Sequence, residues 1–167
     1  GKVADEPFHL LDIPLMNIEA ANVDDFLLAD TPVSQGNGDT RTDLVITDST
    51  HEIAAGLPEG LQEYSTVAVQ QHWGAAPASG DLVATDEADS DPLHGVLYAI
   101  EKGAEIDTGE IDPFVHPARR VHAGFIGNTG AATFTENGVN LFDAIVEWLG
   151  VPAPAEEIVM QPPTKEG

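Results

Sequence analysis

A strand-like run followed at once by a capped amphipathic helix most constrains what this chain can fold into. The run is His116-Pro-Ala-Arg-Arg-Val-His-Ala-Gly-Phe-Ile-Gly127, with extended structure expected over 120–126. It carries two adjacent arginines, whose side chains point to opposite faces of a strand. Thr133 stands as an N-cap with Glu136 three residues later, the spacing of a capping box. Val139, Phe142, Ile145, Val146 and Leu149 then recur at helical spacing, and Gly150 and Pro152 stop the helix. A strand feeding a one-faced helix buries both elements by layering helix on sheet, which predicts an α/β domain.

The rest of the chain supplies further strands. Ile13-Pro-Leu-Met-Asn-Ile-Glu19 is short and mostly apolar, as a buried parallel strand would be. Asn22 is placed to cap a helix running to Ala29, with Asp24 and Asp25 in its first turn. The Gly-, Asn- and Thr-rich stretch 31–42 reads as a loop. Leu44 to Asp48 reads as a strand, and Ser49 to Gly56 as a short helical turn stopped by Gly56 and Pro58. Strands are also expected over 63–73, 81–85 and 95–100, the last two flanking an acidic loop from Asp86 to Pro92. One domain over 1–152 and a Pro/Glu-rich tail or linker over 153–167 account for the 167 residues.

Charge narrows the partners. Twenty-nine acidic residues face six basic ones (Lys2, Arg41, Lys102, Arg119, Arg120 and Lys165), for a formal charge of −23. There is no basic face with which to neutralise phosphates, so nucleic acid and anionic membrane surfaces are poor partners. The acid is spread along the chain, which describes a surface and not an interaction arm. Such a surface suits strong salt, where repulsion is screened within about 3 Å at 1 M. The reading is a salt-adapted protein, extracellular or at the cell surface, with the cytoplasm of a halophile as the alternative. Cysteine is absent, which removes disulfides, thiolate nucleophiles and Cys-ligated zinc. No apolar run reaches membrane-spanning length, and no membrane insertion is expected.

In order, these segments resemble the class I glutamine amidotransferase-like superfamily, in its ThuA-like (trehalose-utilisation-type) branch. The residues that carry the resemblance are Ile13–Glu19, Asp48-Ser-Thr-His-Glu-Ile-Ala-Ala-Gly-Leu57, Tyr98-Ala-Ile-Glu-Lys-Gly103, Ala118-Arg-Arg-Val-His-Ala-Gly-Phe125 and Asn137–Trp148. It spans about residues 13–150. The resemblance implies a three-layer α/β/α, flavodoxin-like sheet that begins after the family's first strand–helix units. It also implies a degenerate site: the family's cysteine nucleophile is missing, and its His-Pro turn reads His51-Glu52 here. A sheet starting part-way leaves an edge, which a partner chain, another domain of the parent protein or a rearranged N-terminus would cover.

Candidate site residues follow. His51 stands at a strand-to-helix junction, where ligands gather in open α/β sheets; it could act as a base, hold a hydroxyl or simply bond its own turn. If the chain is an enzyme, His51 and Glu19 are its catalytic candidates. Arg119, Arg120 and Glu101 join His51 as ligand-binding candidates, with one arginine expected to pair with Glu101 or Glu19 and the other to face ligand or solvent. Trp73, Tyr64, Tyr98 and Phe114 could form a sugar-stacking platform, while Trp148 packs the terminal helix. No metal or cofactor is expected: the histidines show no HExxH spacing, and Asp86–Asp91 lacks the spacing of a calcium loop. The expected function is a non-catalytic interaction or scaffolding module of a larger surface or secreted protein, related to carbohydrate. A sugar-active ThuA-like enzyme using His51 with a nearby carboxylate is the alternative.

Overall fold

The structure is a computed structural model and describes residues 8–30, 35–86, 94–107, 113–127 and 131–150. Its centre is a mixed sheet of eight strands. They are β1 (Leu15–Asn17), β2 (Gln35–Arg41), β3 (Asp43–Ile46), β4 (Gly60–Glu63), β5 (Val69–Gly74), β6 (Asp81–Thr85), β7 (Gly95–Ile100) and β10 (Arg120–Ala123). Two short strands, β8 (Glu105–Ile106) and β9 (Phe114–Val115), pair separately. The main path runs β1-β10-β7-β6-β3-β4, and β5 joins β7 while carrying β2 on its other side. Strand β7 lies inside the sheet because all six of its residues are buried, the pattern of a strand covered on both faces.

Each face of the sheet has its own core. One holds Leu44, Ile46, Ile53, Val83, Leu97, Val121, Leu141, Ile145 and Trp148 under helix α1 (Glu136–Gly150) and the 3₁₀ turn Glu52–Ala54. The other gathers Val23, Leu28, Ala29, Tyr98, Ile100 and Ile106 beneath the irregular segment that follows β1. The chain is therefore an α/β domain, with α1 as the one α-helix among the described residues.

The ladder differs from a flavodoxin-like sheet. β1 pairs with β10 in parallel, as expected of residues 13–19, but every other described pair is antiparallel. The reason lies in the connections. A parallel pair needs a crossover of about a dozen residues or more, usually a helix. Thr85 and Gly95 are too close for that, and 47–59 is occupied by a 3₁₀ turn. At the edge of the path, β1 is three residues long and follows Pro14, which withholds an N–H and blunts the edge.

Several local expectations are corrected. Asn22 caps no α-helix: a 3₁₀ turn spans Ala20–Asn22, Leu27 adopts a φ of 53°, and the Leu28 N–H donates back to the Val23 carbonyl at 2.8 Å. The polar stretch read as a loop forms edge strand β2, because an edge needs backbone partners and not apolar side chains. The strand read over 63–73 is broken between β4 and β5, where the Ser65 hydroxyl donates to the Val67 carbonyl at 2.8 Å. Thr135 and not Thr133 caps α1, its Oγ1 accepting from the Gly138 N–H at 3.3 Å. The buried stripe of α1 is Gly138, Leu141, Ile145 and Trp148, leaving Val139 and Val146 exposed. Gly138 sets that rotation: a Cβ there would lie 2.2 Å from the Tyr64 carbonyl oxygen, so only glycine lets the helix seat this close. Trp148 packs the helix on the sheet as expected. The tail 153–167 lies outside the described residues.

Gly124 plays the equivalent part where β10 ends. Its carbonyl accepts from the His72 N–H at 2.9 Å, and a Cβ there would sit 1.7 Å from the His72 carbonyl oxygen. Gly124→Ala is expected to lower unfolding free energy by about 3 kcal/mol or more, beyond ordinary overpacking because backbone must move. Urea denaturation followed by circular dichroism reads the loss; an unchanged midpoint would rule out this close approach.

Candidate functional site

One end of the sheet opens into a crevice of about 360 Å³ lined by Asp48, Thr50, His51, Glu52, Asp81, Glu101, Arg119 and Trp148. Asp48, Thr50 and His51 come from the turn after β3, and Asp81 opens β6. Glu101 follows β7, Arg119 precedes β10, and Trp148 comes from the last turn of α1. The turn builds itself locally. Asp48 Oδ1 accepts from the Thr50 N–H at 2.9 Å and the Thr50 hydroxyl at 2.6 Å. The Thr50 hydroxyl, ahead of its N–H, holds the Asp48 carboxyl below the usual carboxylate range.

His51 caps the 3₁₀ turn that follows. Its Nδ1 accepts from the Ile53 N–H at 3.2 Å, which leaves Nε2 facing the crevice, 3.8 Å from Asp81 Oδ2. Arg119 is held from three sides. Nε donates to Glu101 Oε2 at 2.9 Å, Nη2 to Oε1 at 3.3 Å, and Nη1 to the Trp148 carbonyl at 2.7 Å. Its guanidinium also lies 4.6 Å over the Trp148 ring. A fork-on-fork pair that also caps a helix C-terminus uses the geometry particular to arginine. The expected Arg119–Glu101 pairing is thus present, and His51, Glu101 and Arg119 share one crevice.

Glu19 and Arg120 lie elsewhere. Glu19 Oε2 is 3.7 Å from His72 Nδ1 near the end of β1. Arg120 faces neither a carboxylate partner nor solvent. It is fully buried, and it donates to the carbonyls of Ile13 at 2.6 Å, Leu11 at 2.8 Å, Arg119 at 3.1 Å and His9 at 3.4 Å. Strand alternation turns it away from Arg119, and on that face the incoming N-terminal backbone offers only carbonyls. Burial draws its guanidinium below the ordinary arginine value, and nearby Asp12 works against the shift.

A second polar group accompanies Arg120 on the same face. Asn17 Nδ2 donates to His122 Nδ1 at 3.1 Å, while His122 Nε2–H donates to the His72 carbonyl at 3.0 Å. His116 Nε2–H donates to the Leu27 carbonyl at 2.8 Å. His122, His116 and Tyr98 are fully buried. Burial pushes the Tyr98 phenol up and lowers both His122 and His116 from 6.5 to about 4, with Arg120 and His9 contributing to the shift of His116. Asn17, His72 and Asp81 were not singled out from sequence. Asn17 and His122, polar residues inside apolar strands, carried a readable signal; Asp81, a strand's first residue, carried none.

The aromatic platform is absent. Tyr64 and Tyr98 are fully buried, Trp73 stacks on His94 with ring centroids 4.2 Å apart, and Phe114 sits edge-on to His116. Of the acidic stretch considered for calcium, only Asp86 is described, and its Oδ1 is 3.1 Å from His94 Nδ1. Among the described residues no group of three or more His, Asp or Glu side chains is placed to hold a metal ion. Compared with known proteins, the chain matches no family model, no curated protein and no solved structure.

The lowered histidines fix a pH dependence. Their folded pKa of about 4 lies below the ordinary 6.5. The unfolded chain therefore binds protons first as pH falls. Stability is full above 6.5 and is lost progressively down to about 4, by on the order of 3 kcal/mol for each imidazole. Unfolding free energy measured at about 2 M KCl, where carboxylate repulsion is screened, is expected to fall across this window. His122→Gln should remove about half of the slope; an unaltered slope would show that His122 is not buried neutral.

Proposed function

We propose that this chain is a non-catalytic interaction or scaffolding module, related to carbohydrate, within a larger surface or secreted protein of a salt-adapted microbe. The observation that carries the reading is how the crevice residues are used. His51 Nδ1 caps its own turn, Arg119 is tied to Glu101 and to the end of α1, and Glu19 sits apart beside His72. What remains open toward the crevice is a set of carboxylates that accept hydrogen bonds. Such a surface suits the hydroxyls of a neutral sugar, and the chain has no cysteine to place a thiolate nucleophile there. The resemblance to ThuA-like proteins belongs to this reading. Its support is the order of the β1 strand, the His51 turn, the arginine strand and the helix ending on Trp148. The antiparallel ladder weighs against a complete flavodoxin-like sheet.

One contact favours a sugar-active enzyme: His51 Nε2 lies 3.8 Å from Asp81 Oδ2, within reach of an acid–base pair once a ligand draws them together. Incubating the chain and its His51→Ala variant with a panel of neutral mono- and oligosaccharides separates the readings. The module reading expects no turnover by either protein, and chemical-shift changes confined to the Asp48–Glu52 turn with Kd of about 1 mM. Sugar turnover abolished by His51→Ala would overturn it in favour of the enzyme.

A further inference from the structure

On the sheet face opposite α1 lies a buried imidazole with nothing bonded to its ring. His72, in β5, is 4 % exposed, and neither its Nδ1 nor its Nε2 has a hydrogen-bond partner. Other rings in the molecule are engaged: His122 through both nitrogens, His116 through Nε2 and His51 through Nδ1. A bare buried nitrogen carries its full desolvation cost, and such a group in a folded chain calls for a water or an ion.

Its neighbour favours the ion. Glu19 Oε2 is 3.7 Å from His72 Nδ1, and 42 % of the Glu19 side chain is exposed. That separation is too long for a hydrogen bond. It is close to the spacing of two ligand atoms on one tetrahedral zinc, about 3.4 Å for bonds of about 2.1 Å. Asn17 fixes the backbone of Glu19 in place, its Nδ2 donating to the Glu19 carbonyl at 2.8 Å and its Oδ1 accepting from the Glu19 N–H at 3.2 Å. These residues lie where β1 ends beside β10, the parallel pair of the sheet. The carboxyl ends of parallel strands are where open α/β sheets gather ligands.

We propose that His72 Nδ1 and the Glu19 carboxylate bind one divalent d-block cation of the zinc type, with water completing its coordination from the Glu19 side. The ring proton of His72 then stays on Nε2. Carboxylates are spread over the whole chain, so a hard cation such as Mg²⁺ meets oxygen ligands everywhere. An imidazole lone pair is what distinguishes a site for zinc. The crevice supplies a comparison, because His51 Nε2 and Asp81 Oδ2 stand at nearly the same separation, 3.8 Å. There Nδ1 accepts from the Ile53 N–H, which puts the ring proton on Nε2 and leaves no lone pair facing the carboxylate. The proposal does not depend on the reading of the crevice as a sugar site.

Calorimetric titration of the full chain with zinc, in a large excess of Mg²⁺ to occupy the other carboxylates, tests the site. The expected result is about one zinc per chain and a higher urea midpoint when zinc is present. Glu19→Gln and His72→Gln should each weaken binding by about a hundredfold or more, since losing a ligand costs at least as much as losing its supporting contacts. His51→Ala should leave it unchanged. Where burial prevents His72→Gln from folding, Glu19→Gln and the ¹⁵N shift of His72 Nδ1 on zinc addition decide. No zinc uptake in the presence of Mg²⁺ would overturn the proposal, as would uptake indifferent to Glu19→Gln, uptake that leaves the His72 shift unmoved, or uptake lost with His51→Ala.

Discussion

Two neighbouring arginines hold the covering layers of this molecule to its sheet. Strand alternation sends Arg119 and Arg120 to opposite faces, and each finishes a different structure. Arg119 reaches the last turn of α1, bonding the Trp148 carbonyl and lying over its ring while Glu101 neutralises it. Arg120 reaches the other way and draws the backbone of residues 9–13 over itself through carbonyl oxygens. The same residue pairs with Leu15, so the parallel contact of β1 with β10 is set at this point. Removing one partner of a buried charged network is costly because the other groups stay buried without their bonds. A chain with six cations and 29 acids has few such clasps to place, and it places two side by side.

That use of charge bears on function. A cation free to bind an anionic ligand, or to stabilise charge in a reaction, would have to come from the same small set. Arg119 is near the crevice but shared between Glu101 and the helix end, and Arg120 is out of reach of any ligand there. The crevice consequently presents acceptors: Asp48, Glu52, Asp81 and Glu101 beside the Nε2 edge of His51. Carboxylates accept hydrogen bonds, which is the chemistry the proposed sugar hydroxyls would need. The opposite face has three buried histidines, two of them with lowered pKa, and no fully buried carboxylate among the described residues. Below pH 6.5 acidification therefore draws stability from that layer, because the unfolded chain takes up protons that the two buried imidazoles resist.

Much of the sheet was legible because its central strands are strongly patterned. Asp81–Thr85 and Gly95–Ile100 are bounded by polar loops and fall where expected, and the β1 segment was read correctly as parallel. Direction was harder for the rest, since an apolar run does not say which way its neighbour runs. The helix was legible as a helix, yet its rotation was not: Val139 and Val146 look like core until Gly138 is seen to press against Tyr64. In the site, the Arg119–Glu101 pair could be anticipated because arginine is scarce. Glu19 could not be placed, because its partner His72 arrives from a strand about fifty residues away with no spacing rule to announce it.

The most direct test is amide hydrogen exchange on Arg119→Met and Arg120→Met, which keep much of the apolar stem and remove the guanidinium. Two separate clasps predict two separate losses. Arg120→Met should speed exchange in residues 8–17 and leave the end of α1 protected, and Arg119→Met should loosen the last turn of α1 and leave residues 8–17 unchanged. Identical exchange patterns from the two variants, or no local change from either, would contradict the account that these arginines fasten opposite layers to one sheet.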